Sequence, residues 1–316
     1  MTVINFNQDH IANINPCVAT IGFFDGVHLG HRFLIEHVRD EAQLMGLSSM
    51  VITFDHHPRE VLNQDYQPEL LTTLDAKLQL LENTGVDHVV VLHFDEKMSQ
   101  LSAQEFMNHV LHDRLHVRKL IIGYDNRFGH NRAETFEDYV RYGEELGIAV
   151  AHHSALKMDG VELSSSVVRA FLKGGEIELA NRCLGYPYSI VGKVVHGFKK
   201  GRGIGYPTAN LDLSDSHQLV PSDGVYAVRV QIGASGQSLP AMTGIGLRPT
   251  FGGTERTLET HIFNFHEDIY GQQLRLTFVK RIRAEQRFDH VTQLVNQLKE
   301  DEKVIEKLFN KENADE

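Results

Sequence analysis

The sequence is short of several things, and each shortage removes a class of protein. It has only two cysteines, Cys17 and Cys183, 166 positions apart, which excludes a disulfide framework and a cysteine-based zinc centre. No stretch approaches about 18 consecutive apolar residues, and the start, MTVINFNQ, lacks a basic segment followed by an apolar run. A cytoplasmic protein with no membrane partner is the expectation. An excess of positive charge is missing too, because the net charge is −11. Residues 1–185 carry 15 basic and 26 acidic side chains, whereas residues 186–316 carry 16 of each. Nucleic acid is therefore not an expected partner, but small anionic ligands need only local positive charge. Internal repeats and low-complexity segments are absent, and so is the Walker pattern G-x-x-x-x-G-K-[ST].

What is present suffices for two cores. Apolar residues make up 41% of the 316 and charged residues 23%, a globular balance at a length that favours about two domains. Over residues 1–185, short apolar runs (CVATIG, SMVITF, HVVVLHF, KLIIGYD, GIAVAHH) alternate with helix-period segments such as RFLIEHVRDEAQLMG, whose Leu34, Val38 and Met45 share a face. That alternation predicts an α/β domain, a doubly wound and mainly parallel sheet with ligands at the carboxyl ends of its strands. After Gly185-Tyr186-Pro187 the pattern becomes period-two strands with Gly and Pro turns, predicting an all-β second domain, an antiparallel barrel over 186–316. The stripe Val291, Leu294, Val295, Leu298, Ile305, Leu308 and Phe309 predicts a closing amphipathic helix, with KENADE as a frayed tail.

The first constellation is ATIGFFDGVHLGHRFL, residues 19–34, where a strand gives way to a helix. A helix N-terminus offers unpaired N–H groups and partial positive charge to a phosphate. Gly22 leaves room for a ligand to approach the backbone. His28 and His31, with Gly30 between them, place two imidazoles where they can stabilise charge on a phosphate under attack. A second element, ELSSSVVRAFLKGG, opens with serines able to cap a helix and carries Arg169 in its first turns.

In the second half, GKVVHGFKKGRGIGYPTANL combines Lys193, Lys199, Lys200 and Arg202 with glycines at 197, 201, 203 and 205, a loop able to wrap phosphates. Thr208 and Asn210, after Pro207, offer hard oxygen ligands suited to Mg²⁺ with phosphate. On LETHIFNF, period-two alternation puts Glu259 on one face with His261. If that face is inward, the carboxylate can accept a proton from a substrate hydroxyl.

These pieces, together with LLTTLDAKLQLLENTGVDHVVVLHF, GYDNRFGHNRAE, PSDGVYAV, GIGLRPTFGG and RIRAEQRF, resemble the bifunctional riboflavin kinase/FMN adenylyltransferase family, the prokaryotic FAD synthetases, from about residue 15 to about residue 300. G-F-F-D-G-V-H-L-G-H resembles the H-x-G-H signature of nucleotidyltransferases, and Ser165, Ser166 and Arg169 match that superfamily's S-S-T/S-x-x-R motif. The resemblance implies that the amino-terminal domain adenylylates FMN with ATP and that the barrel phosphorylates riboflavin. By it, Gly22, Asp25, His28, His31, Ser165, Ser166 and Arg169 line the first nucleotide site, and Asn126 and Arg127 lie near the flavin. In the barrel it makes Gly197, Lys199, Arg202, Gly203, Gly205 and Pro207 an ATP loop, Thr208 and Asn210 the Mg²⁺–ATP ligands and Glu259 the base. Two positions depart from the family: F-D-H-H-P at 54–58 replaces F-D-P-H-P, which loosens a substrate loop, and Asn126 replaces a phenylalanine, which weakens flavin stacking. Two narrower readings stay open, a kinase with an impaired adenylyltransferase site and a flavin-binding protein without activity.

Overall fold

Runs such as CVATI and SSMVITF are apolar on both faces, a pattern satisfied only by a strand covered on both sides. In the computed structural model they are central strands of a parallel sheet. The structure describes all residues except 7–13, 63, 64, 66, 125, 131, 132, 198, 199, 215, 234, 235, 251, 252 and 316. Lys199, expected in the phosphate loop, lies outside the described residues. Two compact units emerge, Met1–Ser165 and Ser166–Glu316.

The first unit runs β1 (Thr2–Phe6), β2 (Cys17–Ile21), α1 (Leu29–Met45), β3 (Ser48–Phe54), α2 (Pro58–Leu62), α3 (Leu74–Glu82), β4 (His88–Leu92), α4 (Glu96–Ser99), α5 (Ala103–Phe106), β5 (Val117–Gly123), α6 (Phe136–Leu146) and β6 (Ala149–His153), then a short hairpin, β7 (Lys157–Met158) and β8 (Val161–Glu162). Six strands lie parallel in the order β1-β4-β3-β2-β5-β6. One face packs Val18, Val51, Val89 and Ile121 against Leu34, Ile35 and Val38 of α1. The other packs Ala19, Ile52, Val90 and Ile122 against Met107, Leu111 and Tyr139. The sheet is doubly wound as expected, with one strand more. Edge strand β1 pairs from Thr2↔His88 to Phe6↔Leu92, and its mixed sequence TVINF lacks the apolar continuity that marks the inner strands. Met45, expected on the buried stripe of α1, is 44% exposed. The helix ends there on Gly46 in the left-handed region (φ 65°), and Ala42 fills the core position instead.

The second unit holds α7 (Ser165–Gly174, starting on the last residue of the first unit), α8 (Ile177–Leu184), β9 (Ser189–Val195), β10 (Ala209–Asp212), β11 (Gly224–Ile232), β12 (Leu239–Thr250), β13 (Gly253–Ile262), β14 (Gln273–Arg283) and α9 (Val291–Asp315). The strands close an antiparallel barrel in the order β10-β13-β12-β11-β14-β9. Ile305 and Phe309 of α9 are buried with Tyr206, Val225 and Met242 on the barrel's outer surface. Val291, at the start of the stripe, is 61% exposed, so the helix meets the core with its later turns. Within KENADE, expected as a frayed tail, the helix continues through Asp315. The contact division falls before the sequence boundary at 185/186, because α8 belongs to the barrel. Asn181 donates to the Phe278 carbonyl (2.9 Å) and accepts from the Tyr188 amide (2.7 Å), and Glu178 pairs with Lys280 (2.9 Å).

Candidate active sites

In the first unit the chain steps from β2 to β3 and β4 on one side and to β5 and β6 on the other. The crevice where an open sheet reverses its strand order is its ordinary ligand site, and the opening motif lies there. Gly22, just past β2, donates its N–H to Ile52 (3.0 Å). Phe24 (φ 54°) and Val27 (φ 35°) then adopt the left-handed region, beside Gly26 (φ 79°). Such a conformation costs about 1–3 kcal/mol per non-glycine residue. It persists here because both side chains are core residues, 3% and 0% exposed.

That strained turn fixes the two histidines. The imidazole of His28 caps α1, its Nδ1 accepting the His31 N–H at 3.3 Å. An accepting Nδ1 carries no proton, so the neutral ring keeps its N–H at Nε2. The His31 ring stacks on it with centroids 3.6 Å apart at 21°, close enough that two imidazolium charges would repel strongly. Gly30 is the residue that allows this, since a Cβ there would lie 3.1 Å from the His28 ring and 3.3 Å from the Leu163 carbonyl.

Asp25 does a different job from its neighbours. Its carboxylate is 3% exposed and accepts from the amides of Leu71 (2.9 Å) and Thr72 (3.1 Å) and from the Thr72 hydroxyl (3.3 Å). Its carbonyl accepts from the Ser165 hydroxyl at 2.9 Å. Asp25 therefore ties the histidine loop to two other segments. Ser166 and Arg169 follow along α7, in the second unit.

Lys77 was not singled out in the sequence, although a lysine on the Leu74, Leu78, Leu81 face of α3 was a signal. It is 3% exposed, and its ammonium donates to the carbonyls of Phe23 (3.1 Å) and Phe54 (2.9 Å) and to the Thr53 hydroxyl (3.1 Å). It thereby clamps the loop that follows β2 to the carboxyl end of β3. Burial lowers its pKa from 10.5 to about 8, against the opposing pull of Asp25 and Asp55. The loop after β3, where the resemblance expects a proline, is held by side chains. Asp55 accepts the amides of His56 (2.7 Å) and Phe94 (3.3 Å), and Glu60 accepts that of His57 (2.7 Å).

Across the crevice, the Asn126 amide donates to the Ile21 carbonyl, while its N–H reaches Gly123 (3.1 Å). It latches β2 to β5 where they diverge. Arg127 is exposed, and so is Tyr124, at 64%. Phe128 is buried, stacked on Tyr139 with centroids 4.4 Å apart.

The barrel carries a separate cleft of about 1060 Å³, lined by Thr208, Glu259 and His261 at one end and by Val225, Met242 and Leu298 among its apolar walls. Alternation puts Leu258, Thr260 and Ile262 into the barrel core, so Glu259 and His261 face outward into the cleft, not into the barrel interior. Asn210 pairs directly with Glu259, which places both on one face with Thr208, two residues earlier. The Thr208 hydroxyl donates to Glu259 Oε2 at 3.3 Å, leaving its lone pairs available. The Asn210 side chain lies directly against Gly197, where a Cβ has no room. Across from Glu259 stands Gly244, which keeps the cleft open.

The preceding loop is compact. Tyr206 N–H closes onto the Gly201 carbonyl (2.9 Å), Gly205 has φ 86°, and the Pro207 carbonyl accepts from His261 Nδ1 at 2.8 Å. Arg202 and Gly203 are exposed. Among the described residues, no atom lies within 4 Å of where a Cβ on Gly203 would sit. At the far wall, Arg283 is locked by Asp301, with Nε 3.0 Å and Nη2 2.9 Å from Oδ2. The Tyr206 hydroxyl donates to Glu302 (2.9 Å); burial and that carboxylate raise its pKa to about 12.

The FAD synthetase family matches residues 10–167 and the riboflavin kinase family residues 184–309. The bifunctional riboflavin kinase/FMN adenylyltransferase of Escherichia coli (strain K12) is 39% identical over 293 residues, covering 93% of each chain. Its counterpart in Haemophilus influenzae is 37% identical, covering 95% of this chain and 97% of the relative. Among solved structures, a macrolide-efflux protein from Streptococcus pneumoniae superposes with a TM-score of 0.85 at 34% identity, covering 97% of this chain and 99% of the other. Among the described residues of the present chain, no helix is long and apolar enough to cross a membrane.

Proposed function

This chain belongs to the bifunctional riboflavin kinase/FMN adenylyltransferase family, and from that premise we infer that it phosphorylates riboflavin to FMN and adenylylates FMN to FAD, each with ATP. The observation that carries the reading is the presence, in one chain, of both an imidazole pair at a sheet's switch point and a carboxylate–hydroxyl pair in a barrel cleft.

In the kinase step, Glu259 takes the proton of riboflavin's terminal ribityl hydroxyl as that oxygen attacks the γ-phosphorus of ATP and ADP leaves. The apolar wall of Val225, Met242 and Leu298 suits the flavin ring. Arg202 and the loop around Gly203 suit the phosphates, with Lys199, Gly197, Gly205 and Pro207 as further parts of that loop. The activities call for a divalent cation with ATP. Thr208 and Asn210 fit one, because both present hard oxygens beside a carboxylate on one sheet face; we assign them Mg²⁺. When bound, the cation neutralises charge on the phosphates.

In the adenylyl step, a phosphate oxygen of FMN attacks the α-phosphorus of a second ATP, and the bond to the departing pyrophosphate breaks. His28 donates from Nε2 and His31 adds a second donor as charge builds. The amides of α1 support the same anion. We assign Ser165, Ser166 and Arg169 to the phosphates of this nucleotide, with Gly22 giving access to the backbone and Asp25 positioning the loop. Asn126 acts first as a latch, and Tyr124 and Arg127 are the exposed groups of its loop available to FMN. The functional division at 185/186 is kept in this reading, with α7 serving the first site by its motif. Its substrates are small molecules, and ATP consumption supports a cytoplasmic setting. Incubation with riboflavin, ATP and Mg²⁺, followed by chromatography, should yield FAD. FMN as the sole product would leave a kinase, and unchanged riboflavin, with supplied FMN also unchanged, would remove both activities.

A further inference from the structure

Position 56 is a histidine where the family resemblance expects proline, and its side chain does not stand alone. Asp55 and His56 follow β3, and His93 follows the adjacent strand β4, so two neighbouring carboxyl-end loops bring a carboxylate and two imidazoles together. His93 Nδ1 lies 2.6 Å from Asp55 Oδ2 and His56 Nδ1 3.1 Å from Oδ1. All three ligand atoms fall within 4.8 Å of one another. We propose that Asp55, His56 and His93 form a binding site for a divalent transition cation of the zinc type, distinct from the cation that accompanies ATP.

Three features carry this. The carboxylate is pre-set, because the amides of His56 and Phe94 both donate to Oδ1, the kind of support that orients metal ligands. Both imidazoles border solvent, their side chains being 61% and 65% exposed, so little packing opposes a change of ring angle. Ligands about 2.1 Å from a shared ion lie at most about 4.2 Å apart, so a small rotation of one exposed ring completes the set. Finally, the donors select the metal. Two imidazole nitrogens and one carboxylate suit Zn²⁺, Co²⁺ or Ni²⁺, whereas Mg²⁺ prefers oxygen ligands and near-ideal octahedral geometry.

Three protein ligands leave a coordination position for water or an anionic oxygen. The bound ion would also tie the loop carrying α2 to the loop after β4 at the sheet's ligand-binding edge.

The test uses the full chain, stripped with chelator, titrated with Zn²⁺ by calorimetry and with Co²⁺ by visible absorption, in the presence of excess Mg²⁺. One ion per chain should bind, with a Co²⁺ d–d band. His56→Ala and His93→Ala should each weaken binding about tenfold or more, while His112→Ala, at the exposed His112–Asp113 pair, leaves it unchanged. Parental far-ultraviolet circular dichroism and urea midpoints in the two variants verify the fold of the first unit, which holds both positions. The site is refuted if the parent binds no ion, if both variants bind as the parent does, or if binding is instead abolished by His31→Ala.

Discussion

His28 caps α1 through Nδ1 and thereby fixes its proton on Nε2, so a test of its chemistry has to preserve the cap. Replacement by alanine would mix lost catalysis with a capping loss of about 0.5–2 kcal/mol. His28→Asn keeps a capping oxygen and removes the imidazole, and His31→Ala removes a ring without capping duty. Each should slow FMN adenylylation by about 10²–10³, the usual loss for one stabilising donor, while FMN formation from riboflavin continues. FAD synthesis at the parental rate in both variants would make the pair a structural stack. Lys77 makes a stability prediction of opposite character. Its pKa falls from 10.5 to about 8 on folding, so between those values the unfolded chain holds a proton that the folded chain has lost, and stability rises with pH across that window. Below about pH 8 both states are protonated and the gain is absent. Urea midpoints should therefore climb from pH 8 towards pH 10. Lys77→Met should flatten the climb and cost about 1–3 kcal/mol at pH 7 by stranding the acceptors at Phe23, Thr53 and Phe54. An unchanged slope in that variant would place the titration elsewhere.

At the scale of elements, α8 matters most, because the sequence change after Gly185 and the packing disagree about where the barrel's unit begins. Ile177, Ala180 and Leu184 are fully buried, and Asn181 bonds β14 at Phe278. A fragment of residues 186–316 would uncover the barrel surface that those side chains pack against and lose the Asn181 bridge. Residues 166–316 should thus be soluble and phosphorylate riboflavin, whereas 186–316 should melt lower or aggregate, a comparison made by thermal scans and flavin chromatography. Equal melting of the two fragments would assign α8 no stabilising part. What the sequence disclosed follows the same physics. Buried parallel strands, the H-x-G-H turn and the P-T-A-N loop were legible because each imposes a local pattern. Edge strand β1 and the four-residue β10 were not, since pairing with β4, β9 and β13 defines them more than their own composition does. The outward aspect of Glu259 required the closed barrel, and the buried role of Asp25 required the 71–72 segment, distant in sequence. The cluster of one carboxylate and two imidazoles at 55, 56 and 93 depends on strand adjacency, which spacing along the chain does not reveal.

For the whole molecule, the two activities form a sequence in which the barrel's product is the first unit's substrate, and the question is whether each set of residues serves one step. Glu259 decides this. A ribityl hydroxyl is a poor nucleophile at neutral pH, and phosphoryl transfer asks the protein mainly for positioning and charge neutralisation. One carboxylate accepting the proton is worth about 10²–10⁴-fold. The surroundings of Glu259 match that duty, with the Thr208 hydroxyl at 3.3 Å and Asn210 directly opposite. Glu259→Gln retains the size of the side chain and an oxygen to accept from Thr208, but removes the base. Riboflavin phosphorylation should fall within that range while riboflavin binding, read by fluorescence titration, changes little. Supplied FMN should become FAD at the parental rate, because His28 and His31 belong to the other unit. Fed riboflavin, this variant should accumulate neither product, whereas His31→Ala should accumulate FMN. Phosphorylation at the parental rate in Glu259→Gln would reduce Glu259 to a strand residue, and a matching loss of FAD synthesis from supplied FMN would mean that the two sites do not act separately.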